Sequence, residues 1–256
     1  MNLDYQTMIG ALSQVVWPMV RVSGLMLTVP VFSSNFIPSR IKVIFVFALG
    51  WVCAPFISTQ LSFLNFNGLY VVYVIQELLL GMLMGFALQL VFQVFVLGGQ
   101  IISMQAGLGF AVMVDPSSKA SVPLVSQLYL MMTTLSFLAL NGHLALLDAL
   151  INSFNMMPVG KGAIDNTMIW HVLMFSGWMF KEAVLISIPA ILSLLIVSLS
   201  FGIMARVAPQ LNIFSLGFPI TLLMAMVIIK VDLPAMGTEI ANSMEQGMHF
   251  IKGMLH

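Results

Sequence analysis

Long apolar stretches, separated by isolated charged residues, dominate the pattern along this chain. A stretch of about 20 apolar residues is long enough to cross the hydrocarbon core of a membrane as a helix. The sequence therefore predicts six helices, over residues 8–32, 43–64, 69–97, 125–147, 183–205 and 211–229. Residues 168–180 are apolar but too few to span, so we expect them to extend the fifth helix or to lie at the interface.

Composition indicates the same class of protein. Hydrophobic residues make up 60% of the chain and charged residues 7%, with a mean hydropathy of +1.06, whereas soluble domains carry about 25% charged residues. Lipid or apolar partner subunits must cover that much apolar surface. The predicted fold is all-α, a multi-spanning integral membrane protein without a soluble domain.

The charges and the single cysteine exclude several kinds of protein. Nine basic residues balance nine acidic ones, which leaves no basic footprint for nucleic acid. Cys53 cannot form an internal disulfide or contribute to a cysteine-rich metal site. Basic residues are spread so evenly over the loops that the positive-inside rule does not decide the membrane orientation.

We treat residues 1–256 as one membrane domain with three parts. Helices of the amino-terminal part occupy residues 1–147, a linker occupies 148–181, and a helix hairpin occupies about 183–256.

Enzyme signatures are missing from the sequence. It has no His-Glu-x-x-His zinc motif, no Gly-x-Ser-x-Gly elbow and no phosphate-binding P-loop. His143 and Asp148 could form a surface pair, and nothing more is expected of them. We therefore predict a protein that is not an enzyme, with no catalytic residue, no cofactor and no metal.

Polar residues inside apolar helices are better candidates for function, because each is costly unless it is paired. Gln89, Gln93 and Gln100 fall on one face of a helix with 3.6 residues per turn. Gly81 and Gly85 have the small-xxx-small spacing that lets helix backbones approach closely. The glutamines could form a wet, pore-facing stripe, or their amides could bond to packed helices.

Arg21 and Glu77 are charged residues in apolar surroundings. They could pair with each other or with residues of another chain, and the sequence leaves both possibilities open.

The stretch from Gly98 to Pro123 is the most informative part of the sequence for function. It continues the third helix without a charge, and four glycines (Gly98, Gly99, Gly107 and Gly109) are expected to break it. Non-helical backbone at membrane depth survives only where protein buries it or where it lines a cavity. Phe110 and Met113 would suit a flexible plug, and a purely structural re-entrant loop is equally compatible. Asp115 and Pro116 predict a helix start, as N-cap and first helical residue.

The sequence resembles the FliR family of flagellar biosynthetic proteins over essentially its whole length. The resemblance depends on a combination of features: Arg21, Pro38 with the basic pair Arg40 and Lys42, Gln76-Glu77, and Gln105-x-Gly107-x-x-Phe110-Ala111 leading to Asp115-Pro116.

The resemblance implies a structural subunit of the flagellar type III protein export gate, in the bacterial inner membrane at the flagellar basal body. Partners would be FliP, FliQ and FlhB, with unfolded flagellar proteins passing through the shared channel and membrane lipid around it. The family implies about six bent or hairpin-like helices, substantially raised out of the bilayer and buried against neighbouring subunits. It also implies that residues from Gln105 to about Val122 form a plug loop.

Two alternatives remain at this stage. One is an export-gate homologue of an injectisome, and the other is a self-contained secondary transporter, in which broken helices are also expected.

Overall fold

The computed structural model describes residues 5–33, 37–56, 68–108, 123–160, 165–207 and 213–255, and every regular element in these ranges is a helix. Together with the apolar composition, this confirms an all-α, polytopic membrane protein. In chain order the helices are α1 (Tyr5–Thr28), α2 (Pro30–Ser33), α3 (Ser39–Cys53, continued by a 3-10 turn over Ala54–Phe56), α4 (Leu69–Gln105), α5 (Leu124–Ala139), α6 (Gly142–Met156), α7 (Asn166–Val207) and α8 (Ile213–Met254).

Four helices within the described ranges are long and apolar enough to cross a membrane: α3 with its 3-10 turn, α4, α7 and α8. The bent pair of α5 and α6 makes a fifth candidate. The sequence predicted about six, and the difference is α1. This helix carries Ser13, Gln14 and Arg21 among its apolar residues, and it is not one of the candidate spans.

The chain divides into two compact units. Unit 1 holds the described residues of 1–90, 141–176 and 244–256, and unit 2 holds those of 91–140 and 177–243.

In unit 1, helices α1 and α4 pack with their backbones in close contact. A Cβ atom on Gly81 would fall on the carbonyl oxygen of Arg21, and one on Gly24 would fall on the carbonyl oxygen of Leu78. A Cβ atom on Gly85 would meet the hydroxyl of Thr28. Glycine is therefore required at this crossing, and the close approach predicted for Gly81 and Gly85 is confirmed.

In unit 2, the second half of α4 packs with α5, and α7 packs with α8. Phe92 and Phe137 meet edge to face with ring centroids 5.6 Å apart. Leu194 of α7 lies in one buried cluster with Ala225 of α8 and Ala106. Further along, Ile186 and Met236 line one groove, so residue numbers rise along α7 as they fall along α8. The two helices are antiparallel.

Helix α4 does not break at Gly98 and Gly99, as the sequence predicted, but continues to Gln105. The prediction was wrong because these glycines serve packing. A Cβ on Gly99 would lie 2.7 Å from the Cα of Ser126, and one on Gly98 would lie 3.4 Å from the carbonyl oxygen of Ala183.

The helix predicted over residues 125–147 is two helices, α5 and α6, bent by 67°. Asn141 lies between them with a left-handed backbone (φ 56°), a conformation that asparagine tolerates better than most residues. The change in helix direction therefore occurs at Asn141.

The last two helices are longer than predicted. Residues 168–180 belong to α7, which confirms the first of the two alternatives for them. The end predicted at Ile229 is wrong, because α8 runs on to Met254. Lys230 and Asp232 end the apolar stretch, but a charged side chain does not by itself end a helix. Within the expected linker 148–181, α6 occupies residues up to Met156 and α7 starts at Asn166.

Candidate functional site

Arg21 on α1 and Glu77 on α4 form a buried ion pair in unit 1. Arg21 is fully buried and Glu77 is 3% exposed. Nε of Arg21 donates to Oε2 of Glu77 at 2.7 Å, and Nη2 donates to Oε1 at 3.0 Å. This two-pronged geometry matches the fork of the guanidinium to the carboxylate, the strongest arrangement for such a pair.

Helix α6 supplies further partners for the same guanidinium. Nη1 donates to Oγ of Ser153 at 2.8 Å, and Nη2 donates to the carbonyl oxygen of Met157 at 2.9 Å. The ring of Phe154 lies 3.9 Å from the guanidinium carbon, within the range of a cation–π contact. Four of the five N–H donors of Arg21 are therefore used, and one side chain connects α1, α4 and the end of α6.

Of the two possibilities left open by the sequence, the structure shows Arg21 and Glu77 pairing with each other. Sequence reasoning missed Ser153, Phe154 and Met157. Ser153 stands among other polar residues, Asn152 and Asn155, so its hydroxyl was not conspicuous, and a backbone carbonyl gives no sequence signal.

The glutamines lie on the open face of α4. Most of the helix is buried, with Leu88, Val91 and Phe95 fully enclosed. Gln89, Gln93 and Gln100 are only half-buried.

Phe86 and Met104 share this face and are 38% and 71% exposed. Among the described residues, the side-chain hydrogen bonds do not include the three glutamine amides. Their hydrogen-bonding capacity is therefore open to groups other than the described residues.

Helix α4 ends in a defined turn at Gly107. The N–H of Gly107 donates to the carbonyl of Met104, and the N–H of Leu108 donates to that of Ser103. With φ 82° at Gly107, this is the Schellman arrangement that commonly ends a helix at glycine. Gln105 is the last helical residue. The remaining residues of the predicted plug (Gly109, Phe110, Met113, Asp115 and Pro116) lie outside the described residues.

Two surface carboxylates have local roles. Asp148 accepts hydrogen bonds from Asn152 at 3.1 Å and from Nζ of Lys252 at 3.3 Å. The expected surface pair with His143 is wrong, since the partners of Asp148 among the described residues are Asn152 and Lys252.

Asp165 lies directly before α7. The hydroxyl of Thr167, 2.6 Å away, and the backbone N–H of Asn166 hold the pKa of Asp165 below its usual range. Its carboxylate therefore caps the start of α7. Within the described ranges, no cluster of three His, Cys, Asp or Glu side chains could hold a metal ion.

Comparison with known proteins places the chain in a family. The sequence profile of a family described as bacterial export proteins, family 1, matches residues 12–247. The chain is 34% identical over 219 residues to the flagellar biosynthetic protein FliR of Buchnera aphidicola subsp. Baizongia pistaciae, covering 85% of this chain and 84% of that protein. It is 32% identical over 207 residues to FliR of Escherichia coli (strain K12), covering 80% and 78%.

A more distant relative extends the match. The FliR protein of Bacillus subtilis (strain 168) is 27% identical over 239 residues, which cover 92% of both chains. The helical structure and the apolar composition are consistent with these matches, which cover most of the chain. This chain belongs to the family of bacterial export proteins that includes the flagellar biosynthetic proteins FliR.

Proposed function

We propose that this chain is a structural, non-enzymatic subunit of the flagellar protein export gate in the bacterial inner membrane. It assembles with FliP, FliQ and FlhB and forms part of the channel through which unfolded flagellar proteins pass. The names of its relatives support the flagellar role, and the exposed surface of its helices supports the assembly.

The observation that carries this proposal is the apolar surface of α7. Large apolar side chains are exposed along this helix from Ile169, at 43%, to Val207, at 79%. At 1.5 Å per residue these 38 steps cover about 57 Å of helix, about twice the 30 Å hydrocarbon core. A tilt of about 40°, the upper end of the observed range, still leaves about 44 Å across the membrane. Lipid alone does not cover this surface, so partner subunits are needed.

Helix α4, in contrast to α7, is mostly buried within the chain. In its most apolar stretch 67% of residues are buried, against 17% in α7 and 11% in α8. It is a core helix whose open face carries Gln89, Gln93 and Gln100. An apolar partner or a lipid tail would leave those amides without hydrogen bonds, at a cost of about 1–3 kcal/mol for each buried group. We assign this face to channel water or to a polar surface of a partner subunit.

Replacement of Gln93 by Leu tests this assignment. We expect reduced release of flagellar proteins into the medium, because the amide loses its hydrogen bonds outside the chain. Gln246→Leu, at an exposed position on α8, is the matched control and should leave export unchanged.

The yield of assembled complex shows whether the glutamine face contacts channel water or a partner subunit. Lost export with an intact complex indicates a channel-facing glutamine, and a lost complex indicates packing against a partner. Unchanged export together with unchanged yield in Gln93→Leu would contradict both.

We further propose that the segment from Gln105 to about Val122 closes the resting channel. The turn at Gly107 ends α4 at the start of this segment. Phe110 and Met113 supply apolar side chains, and methionine in particular adapts to irregular surfaces. An apolar constriction excludes water and ions without a charged gate.

A further inference from the structure

Unit 2 contains an apolar groove between α5 and α8 that neither the fold nor the proposed channel explains. It has a volume of about 320 Å³, and its lining includes Leu124 and Leu128 of α5 with Met226, Ile229 and Leu233 of α8. Lys230 is the charged residue among the lining side chains. An apolar space with a cation at its rim has the chemistry of an amphiphile site.

The part of α8 on the amino-terminal side of Lys230 is apolar. Residues 213–229 carry no charge, and Lys230 is the first charged residue after them. At 1.5 Å per residue this stretch is about 25 Å long, close to the thickness of a hydrocarbon core. A charge-free stretch of this length followed by a lysine is the pattern with which a spanning helix places an ammonium near lipid phosphates.

Lys230 is exposed, and the ion pairs within the described ranges join other groups, Arg21 with Glu77 and Lys252 with Asp148. The nearest acidic residue in sequence, Asp232, is turned about 200° around the helix axis from it. Asp232 lines a separate groove with Glu182 and Glu239. Among the described residues that line it, the apolar groove thus presents a positive charge and no carboxylate.

We propose that this groove binds one anionic phospholipid, with an acyl chain along the apolar side chains and the phosphate on Lys230. A partner's apolar side chain could fill the same space but would leave the ammonium without an anion. Lipid satisfies both parts of the site. This inference does not depend on the proposed export role.

The test measures lipid retained by the full chain, purified from membranes in its native assembly, delipidated and titrated with phosphatidylglycerol. Bound lipid is counted by native mass spectrometry. Lys230→Gln should weaken phosphatidylglycerol binding about fivefold, since one lysine near an anionic surface contributes about 1 kcal/mol. Lys181→Gln, at an exposed position on α7, is the control and should have no effect.

Two further arms examine the headgroup and the groove. Phosphatidylcholine with the same acyl chains should bind the wild type more weakly than phosphatidylglycerol. Met226→Trp, which fills the groove from a 59% exposed position, should reduce binding of both lipids.

Equal binding of both lipids to the wild type would overturn the phosphate contact. Unchanged phosphatidylglycerol binding in both Lys230→Gln and Met226→Trp would overturn the site itself.

Discussion

Removing one partner of the buried ion pair should destabilise unit 1 severely. In Glu77→Leu, the fully buried guanidinium of Arg21 loses two hydrogen bonds of 2.7 and 3.0 Å and its only charged partner among the described residues. Loss of one member of a buried pair typically costs about 3–5 kcal/mol, because the other charge stays buried without compensation. Arg21→Met should cost a similar amount by leaving the carboxylate unpaired.

The double variant Arg21→Met/Glu77→Leu should recover most of that loss. It buries no charge, and Ser153 keeps its own hydrogen bond to the carbonyl of Leu150 at 2.6 Å. The carbonyl of Met157 loses its donor from Arg21, which leaves about 1–3 kcal/mol of destabilisation. The two substitutions are therefore strongly non-additive, as expected for residues in direct contact.

Thermal exposure of Cys53, compared between wild type and variants in the assembled complex, provides the assay. It is the single cysteine of the chain, it is 2% exposed, and it lies in the same unit as the ion pair. A thiol-reactive fluorogenic dye then reports unfolding, and 3–5 kcal/mol corresponds to a decrease in Tm of about 6–20 °C for a chain of this size.

The exposed pair of Lys252 and Asp148 is the matched control. Its side chains are 54% and 58% exposed, so its removal should cost less than about 1 kcal/mol. If Glu77→Leu lowered Tm no more than Lys252→Gln, or if the double variant were as unstable as the sum of the singles, the reasoning would be refuted.

Three other perturbations have defined outcomes. Gly81→Ala should lower Tm, because the added Cβ meets the backbone of α1, whereas Gly177→Ala, with open space around it, should not. Thr167→Ala should raise the pKa of Asp165. The ionised carboxylate stabilises the start of α7, and this effect is lost as pH falls through the folded-state pKa. On acidification, the protection of amides at the start of α7 from exchange should therefore be lost at a higher pH in the variant than in the wild type. Deletion of residues 107–114 should leave the complex assembled but leaky to small ions, measured as membrane leakage in cells, and a complex as tight as wild type would contradict the plug.

The sequence predicted the class and most helices because charge-free stretches of membrane length are unambiguous. It failed where a residue had a second role. Gly99 allows α5 to approach, although glycine usually signals a break. Asn141 turns the chain inside an apolar stretch, and Lys230 ends the apolar stretch without ending α8.

The candidate site was predictable only in its components. Arg21 and Glu77 were conspicuous as charges among apolar residues, but they are 56 residues apart and nothing local specified that they pair. The carbonyl of Met157 has no sequence signature at all. Helical spacing predicted that the glutamines share one face of α4. Whether that face is exposed depends on how α4 packs against other helices, which the spacing does not specify.

Purification of the chain with and without its proposed partners tests the central claim most directly. The chain expressed alone in mild detergent should aggregate, because α7 exposes apolar side chains over about 57 Å. Co-expression with FliP and FliQ should yield one monodisperse hetero-oligomer by size-exclusion chromatography with light scattering. A stable, monodisperse monomer that gains nothing from FliP and FliQ would contradict the assignment as an export-gate subunit.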